Sequence, residues 1–186
     1  MWKVCPIQGR QLKDVREEDI YGDFRICNTY RGGGGYDQFP KIAKKRGLSC
    51  KGDMALQFVV QLYGCPLDCF YCYVTIVGIF GQHKEYTTGQ LAGTYYKAKL
   101  ERKTGVFHLM GGAPALYHES WYRLIDVLPD SCIFHSDLLL TEKPYDFNAL
   151  RMARRDNALY AVDIKGVSTQ DYFRNTGRKL DDKLFW

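Results

Sequence analysis

The sequence predicts an α/β fold whose parallel sheet is assembled from successive βα units. Three observations lead there. Short apolar runs rich in β-formers recur along the chain as "MALQFVVQLY", "VFHLM", "CIFHSDLLL" and "LYAVDIK". Each is followed by a segment with helical spacing, and the strands read apolar on both faces, as in sheets covered on both sides. Parallel strands need crossover connections, which place every strand's carboxyl end on one rim, where such sheets gather their chemistry.

Residues 1–52 lack this rhythm. The glycine run in "RGGGGYDQ" has no Gly-Lys-Ser/Thr ending of a phosphate loop. The segment holds 11 Lys/Arg against 6 Asp/Glu, whereas the rest of the chain holds 15 of each. It is expected to be an irregular, basic N-terminal extension, with residues 53–186 as the folded domain. "KIAKKRG", Lys41 to Gly47, reads as a solvated loop; without interleaved aromatics it supports no nucleic-acid partner.

The first strand starts at Met54 and ends abruptly at Gly64. A helix follows, with Thr87 or Thr88 as N-cap, Leu91, Tyr95 and Ala98 on one face, and Gly105 as stop. The second unit pairs strand Val106 to Met110 with a helix from Tyr117 to Leu128, whose Trp121, Leu124, Ile125 and Leu128 form an apolar stripe. The third pairs Cys132 to Leu140 with a helix in Tyr145 to Arg155. The fourth pairs Leu159 to Lys165 with a helix in Ser168 to Gly177, where Ser168 and Asp171 have capping-box spacing.

With 186 residues, 46% hydrophobic and 25% charged, the chain falls in the ordinary range of one soluble domain. It has no apolar run of bilayer-crossing length and no apolar signal core at its start, so no membrane partner and a cytoplasmic location are expected. Seven cysteines at irregular spacing fit a disulfide scaffold poorly and point to reduced thiols or metal ligands. Cys5, Cys27, Cys50 and Cys132 stand alone and read as ordinary thiols. His83, His108 and His118 lack zinc-type spacing and read as structural or solvated.

The exception is "GCPLDCFYCYV", which brings Cys65, Cys69 and Cys72 together directly after the first strand. A structural zinc or an electron-transfer [4Fe-4S] cluster normally takes four protein ligands. Three leave a metal position open, which is what a catalytic metal needs. On spacing alone a zinc site, a plain iron-sulfur site and a chance cluster stay open beside it.

"CPLDCFYC" resembles the CxxxCxΦC signature of the radical S-adenosylmethionine (SAM) superfamily, with Tyr71 at Φ. The resemblance is closest to the glycyl-radical-enzyme-activating branch, exemplified by pyruvate formate-lyase activating enzyme. It implies a partial (β/α) barrel, here truncated after about four βα units of the usual six. It also implies that Cys65, Cys69 and Cys72 hold a [4Fe-4S] cluster whose free iron binds SAM, with Tyr71 near the adenine. "LMGGAP" resembles the family's Gly-Gly-Glu-Pro segment, so Gly111 and Gly112 would flank the methionine, although Ala113 replaces the glutamate that helps hold the SAM amino group. His135, Ser136 and Asp137 would lie near the rim, with Asp137 facing SAM. "AVDIKG", followed by "YFRNTG", matches the activating branch, in which Asp163 and Lys165 would contact SAM from one face of a central strand.

The implied activity is reductive cleavage of SAM to a 5′-deoxyadenosyl radical that abstracts hydrogen from a substrate, such as a glycine of a partner enzyme. Flavodoxin or ferredoxin would be the electron donor. The alternatives are a small-molecule radical SAM enzyme such as a deazapurine synthase, and a non-catalytic zinc or iron-sulfur module.

Overall fold

The computed structural model describes residues 1–7, 17–28, 45, 50–51, 54–72, 74, 76–139 and 146–180. In chain order these form β1 (Trp2–Val4), β2 (Ile20–Tyr21), β3 (Phe24–Asn28), β4 (Cys50–Lys51), β5 (Met54–Gln61), α1 (Ile76–Phe80), β6 (Lys84–Tyr86), α2 (Thr88–Arg102), β7 (Val106–Met110), α3 (Trp121–Val127), β8 (Ile133–Leu139), α4 (Phe147–Met152), β9 (Ala158–Asp163) and α5 (Thr169–Thr176). The main sheet runs β2-β3-β5-β7-β8-β9, with β4 also paired to β5. β5, β7, β8 and β9 are parallel neighbours, and β3 and β4 join β5 antiparallel. Among the described residues the sheet is open, with β2 at one end and β9 at the other. The protein is a mixed α/β fold with helices between its parallel strands, not a closed barrel.

Register gives the sheet two unlike faces. Phe58, Phe107 and Phe134 are in register on one face. With Val60 and Leu109 they form the main core, against Leu91 and Tyr95 of α2 and Trp121 and Leu124 of α3. Fully burying each large apolar side chain contributes about 1.5–3 kcal/mol, which is why this face holds the helices. The other face carries Gln57, Gln61, His108 and His135, all buried. The expectation that the strands are apolar on both faces holds in part: Val59, Val106 and Ile133 are buried on this second face too, but beside hydrogen-bonding groups.

α2 begins with a reciprocal capping box in which Thr87 Oγ1 accepts from Gln90 N–H at 3.1 Å and Gln90 Oε1 accepts from Thr87 N–H at 2.7 Å. It ends at Lys103, which adopts the left-handed conformation at φ 57°, two residues before the expected Gly105 stop. The second predicted helix is a 3₁₀ segment, Pro114–Ser120, that passes into α3 at Trp121. β9 stops at Asp163 and lies at an end of the strand order, so Lys165 sits past the strand and the strand is not central.

The N-terminal segment is also corrected, because its described residues are not irregular. β1 pairs antiparallel with β6, and Trp2, Val4, Cys5 and Ile7 are buried. The Trp2 ring stacks on Tyr117 at 5.6 Å, and its Nε1–H donates to Thr88 Oγ1 at 3.1 Å. The backbone continues the sheet: Tyr63 N–H donates to Lys3 O and Cys5 N–H donates to Gln61 O, each at 2.9 Å. The glycine run and "KIAKKRG" lie outside the described residues, Lys45 excepted. Among the described residues no helix is long and apolar enough to cross a membrane.

Candidate functional site

The carboxyl ends of the parallel strands converge on one cavity of about 200 Å³. Cys65 follows β5 by four residues, Gly111 directly follows β7, Asp137 lies near the end of β8, and Asp163 is the last residue of β9. All nine residues singled out from the sequence line this cavity: Cys65, Cys69 and Cys72, Tyr71, Gly111 and Gly112, and Asp137, Asp163 and Lys165. Of the polar trio on β8 only Asp137 does so. Ser136 is fully buried in register with Leu109 and Tyr160 on the opposite face, and His135 is buried deeper along the strand.

The cysteine loop is held from two sides. Gly64 N–H donates to Ile79 O of α1 at 2.8 Å, and Asp68 N–H donates to Thr176 O at the end of α5 at 2.8 Å. α5 can present that carbonyl because Ser168 Oγ caps its start, accepting from Asp171 N–H at 3.1 Å, and Gly177 turns the chain at φ 66°. A Cβ at Gly177 would also come within 3.3 Å of Asp68 Cβ. Sequence spacing did not reveal that "YFRNTG" buttresses the cysteine loop.

The two glycines leave the space that a backbone approach requires. Gly112, at φ 48°, would place a Cβ at 2.4 Å from Leu62 O and 2.5 Å from Gly64 O, and no side chain can share that position. A Cβ on Gly111, at φ 64°, would overlap the side chain of Gln61, whose Nε2 donates to Gly78 O at 3.1 Å. Ala113 lines the same cavity while packing in an apolar cluster with Leu67, Ala115 and Tyr172.

Charge is concentrated at Asp163 and Lys165. Lys165 Nζ meets Asp163 Oδ2 at 2.5 Å and stands 5.2 Å over the Tyr71 ring. Burial alone would lower the Lys165 pKa, but the hydrogen bond and charge of Asp163, with Cys69 and Tyr71, raise it, so the ammonium persists. Burial raises the Cys65 and Cys69 thiols above their ordinary value, and Lys165 partly offsets this in both. These two thiols are therefore protonated at neutral pH, and a metal binding them would release protons. Cys5 and Cys132 are pushed up to about 11 by burial and are inert thiols.

Compared with known proteins, the chain matches no family model and no curated sequence. Among the described residues, His108, His135 and Asp137 form a group whose possible ligand atoms all lie within 4.8 Å of one another.

Sequence reading treated His108 as structural, and the structure places it in a polar array. Its Nδ1 lies 2.8 Å from Gln57 Oε1, its ring stacks on His135 at 3.9 Å, and its Nε2 faces Asp137 Oδ1 at 3.8 Å. Burial, with His108 beside it, pushes the His135 pKa down to about 2, so that ring is neutral. The available signal was that "VFHLM" and "CIFHS" each carry a histidine inside an apolar strand, which register then aligns. By contrast His118 is structural as expected, its Nε2 accepting from Asp146 N–H at 2.8 Å.

Proposed function

We propose that this protein is a radical SAM enzyme in which Cys65, Cys69 and Cys72 hold a [4Fe-4S] cluster. The observation that carries the reading is the meeting of three half-buried thiols, a Gly-Gly backbone cradle and a cationic Lys165 in one cavity at the carboxyl ends of parallel strands. When bound, the cluster supplies one electron to SAM, giving methionine and a 5′-deoxyadenosyl radical that takes a hydrogen atom from a substrate.

The chain's own residues bind and orient. Lys165 places a retained positive charge beside Cys69, offsetting the negative charge that thiolates bring into a partly buried site. Gly111 and Gly112 form a tight left-handed turn on the cavity wall, packed against Gln61, Leu62 and Gly64, and Tyr71 offers a ring face to the same cavity. Asp163 presents a carboxylate for an ammonium, a role the glutamate of the family segment would otherwise fill at Ala113. Flavodoxin or ferredoxin is the proposed reductant, and a glycine of a partner enzyme the proposed hydrogen donor.

Ala113 favours a second reading, a non-catalytic metal module, because a hydrogen bond to a charged group contributes about 1.5–3 kcal/mol and is missing there. The two readings separate on anaerobic reconstitution with iron and sulfide. The radical SAM reading expects dithionite-dependent release of 5′-deoxyadenosine from SAM. Zinc at one per chain without sulfide, or a cluster that never cleaves SAM, contradicts it.

A further inference from the structure

His108 and His135 occupy register-paired positions on β7 and β8, and Asp137 follows two residues later on the same face. Each offers a ligand atom, and these atoms all lie within 4.8 Å of one another. We infer that the three residues bind a first-row divalent cation such as Zn²⁺ or Fe²⁺, at a site distinct from the three cysteines.

The orientation of His108 is the main argument. With Gln57 Oε1 accepting from Nδ1–H at 2.8 Å, the lone pair of the ring lies on Nε2. That atom belongs to a side chain only 1% exposed, has no hydrogen-bond partner, and faces Asp137 Oδ1 at 3.8 Å. Two acceptors turned toward each other in a buried setting repel, and the separation exceeds hydrogen-bond reach. A cation between them converts the repulsion into two bonds. Metal bonds of about 2.0–2.2 Å to imidazole nitrogen and carboxylate oxygen hold neighbouring ligand atoms roughly 3 Å apart, so the side chains need close only slightly.

The remaining features agree with this arrangement. The His108 and His135 rings are stacked 3.9 Å apart at 23°, so both present an edge to the same region. Gln57 fixes the tautomer and rotation of His108, the outer-shell role that ligating histidines require. Two imidazoles and one carboxylate suit ions of intermediate hardness, and leave coordination positions open. Asp137 is one-third exposed and lines the cysteine cavity, so an ion beside it is reached from that cavity and offers its open positions to whatever occupies it.

The test is a Zn²⁺ titration of the full chain followed by imidazole nitrogen NMR, which reads histidine ligation even while the cysteines bind zinc. The chain has only four histidines, and His108→Gln and His135→Gln assign the relevant signals. The expected result is that the His108 and His135 signals alone shift to metal-bound values, and that Asp137→Asn weakens that step at least about tenfold. Asp137→Asn substitutes a partly exposed side chain and preserves the fold, which circular dichroism checks. His108 and His135 signals unmoved at saturating zinc, a His108 ring that is simply doubly protonated, or an affinity indifferent to Asp137→Asn would each overturn the site. Because the readout needs neither iron nor SAM, its failure is distinct from failure of the radical SAM reading.

Discussion

On one face of the parallel strands Phe58, Phe107 and Phe134 stand in register under α2 and α3; on the other, at the next positions along the same strands, Gln57, His108 and His135 are equally buried but polar. The first set gains from leaving water, and any apolar group of similar volume would serve nearly as well. The second loses solvation on burial and is tolerated only where each group meets a partner or a ligand. Comparable burial thus has two meanings: the apolar face holds the fold together, and the polar face, continuing to the rim where the cysteines lie, is where chemistry is to be sought.

Substitutions at the rim and on each face should separate these roles. The largest expected effect is on activity: Cys65→Ser, Cys69→Ser or Cys72→Ser should reduce cluster iron and SAM cleavage to background. Circular dichroism should remain that of the parent, since the three side chains are not part of the main core. On the apolar face, Phe107→Ala should cost about 3–5 kcal/mol in urea unfolding. Molecules that remain folded should load iron normally.

Gly112→Ala should cost more than about 2 kcal/mol, because it combines a left-handed backbone with a clash against two carbonyl oxygens. Loss of cluster loading should accompany it. On the polar face, His135 with its pKa near 2 cannot take the proton that an unfolded histidine takes near its usual 6.5. The unfolded state therefore binds more protons as pH falls, and in chelator-treated protein the contribution of His135 to stability should be constant above 6.5 and drop by about 1.4 kcal/mol per pH unit below it. His135→Gln should flatten this slope. The smallest expected stability effect is that of Lys165→Met, under about 1 kcal/mol because Asp163 is half exposed, while SAM affinity should fall at least about tenfold.

The parts that local rules govern were legible in the sequence. The N-cap at Thr87, one of two candidates, the β7 strand and the Ser168 to Gly177 helix are decided by neighbours a few residues apart, and spacing found them. The cysteine loop was legible because three thiols in eight residues leave few readings. Long-range pairing was not legible. Trp2 and Val4 enter the core through long-range pairing with β6 and with the chain just after β5, and a three-residue strand has no periodicity to read. His108 and His135 form a pair only once register is known: alone, His108 looked structural or solvated, and His135 was read as a rim residue. Lys165 was expected on β9 by alternation, but the strand ends first and the side chain reaches Asp163 from the following loop.

The central claim is an iron left open by three cysteine ligands. Electron paramagnetic resonance of the dithionite-reduced, reconstituted protein tests it most directly, recorded before and after SAM is added. The account predicts a [4Fe-4S] signal that changes shape when SAM binds the open iron. A signal indifferent to SAM, or an iron-free protein holding zinc at the cysteines, would contradict it.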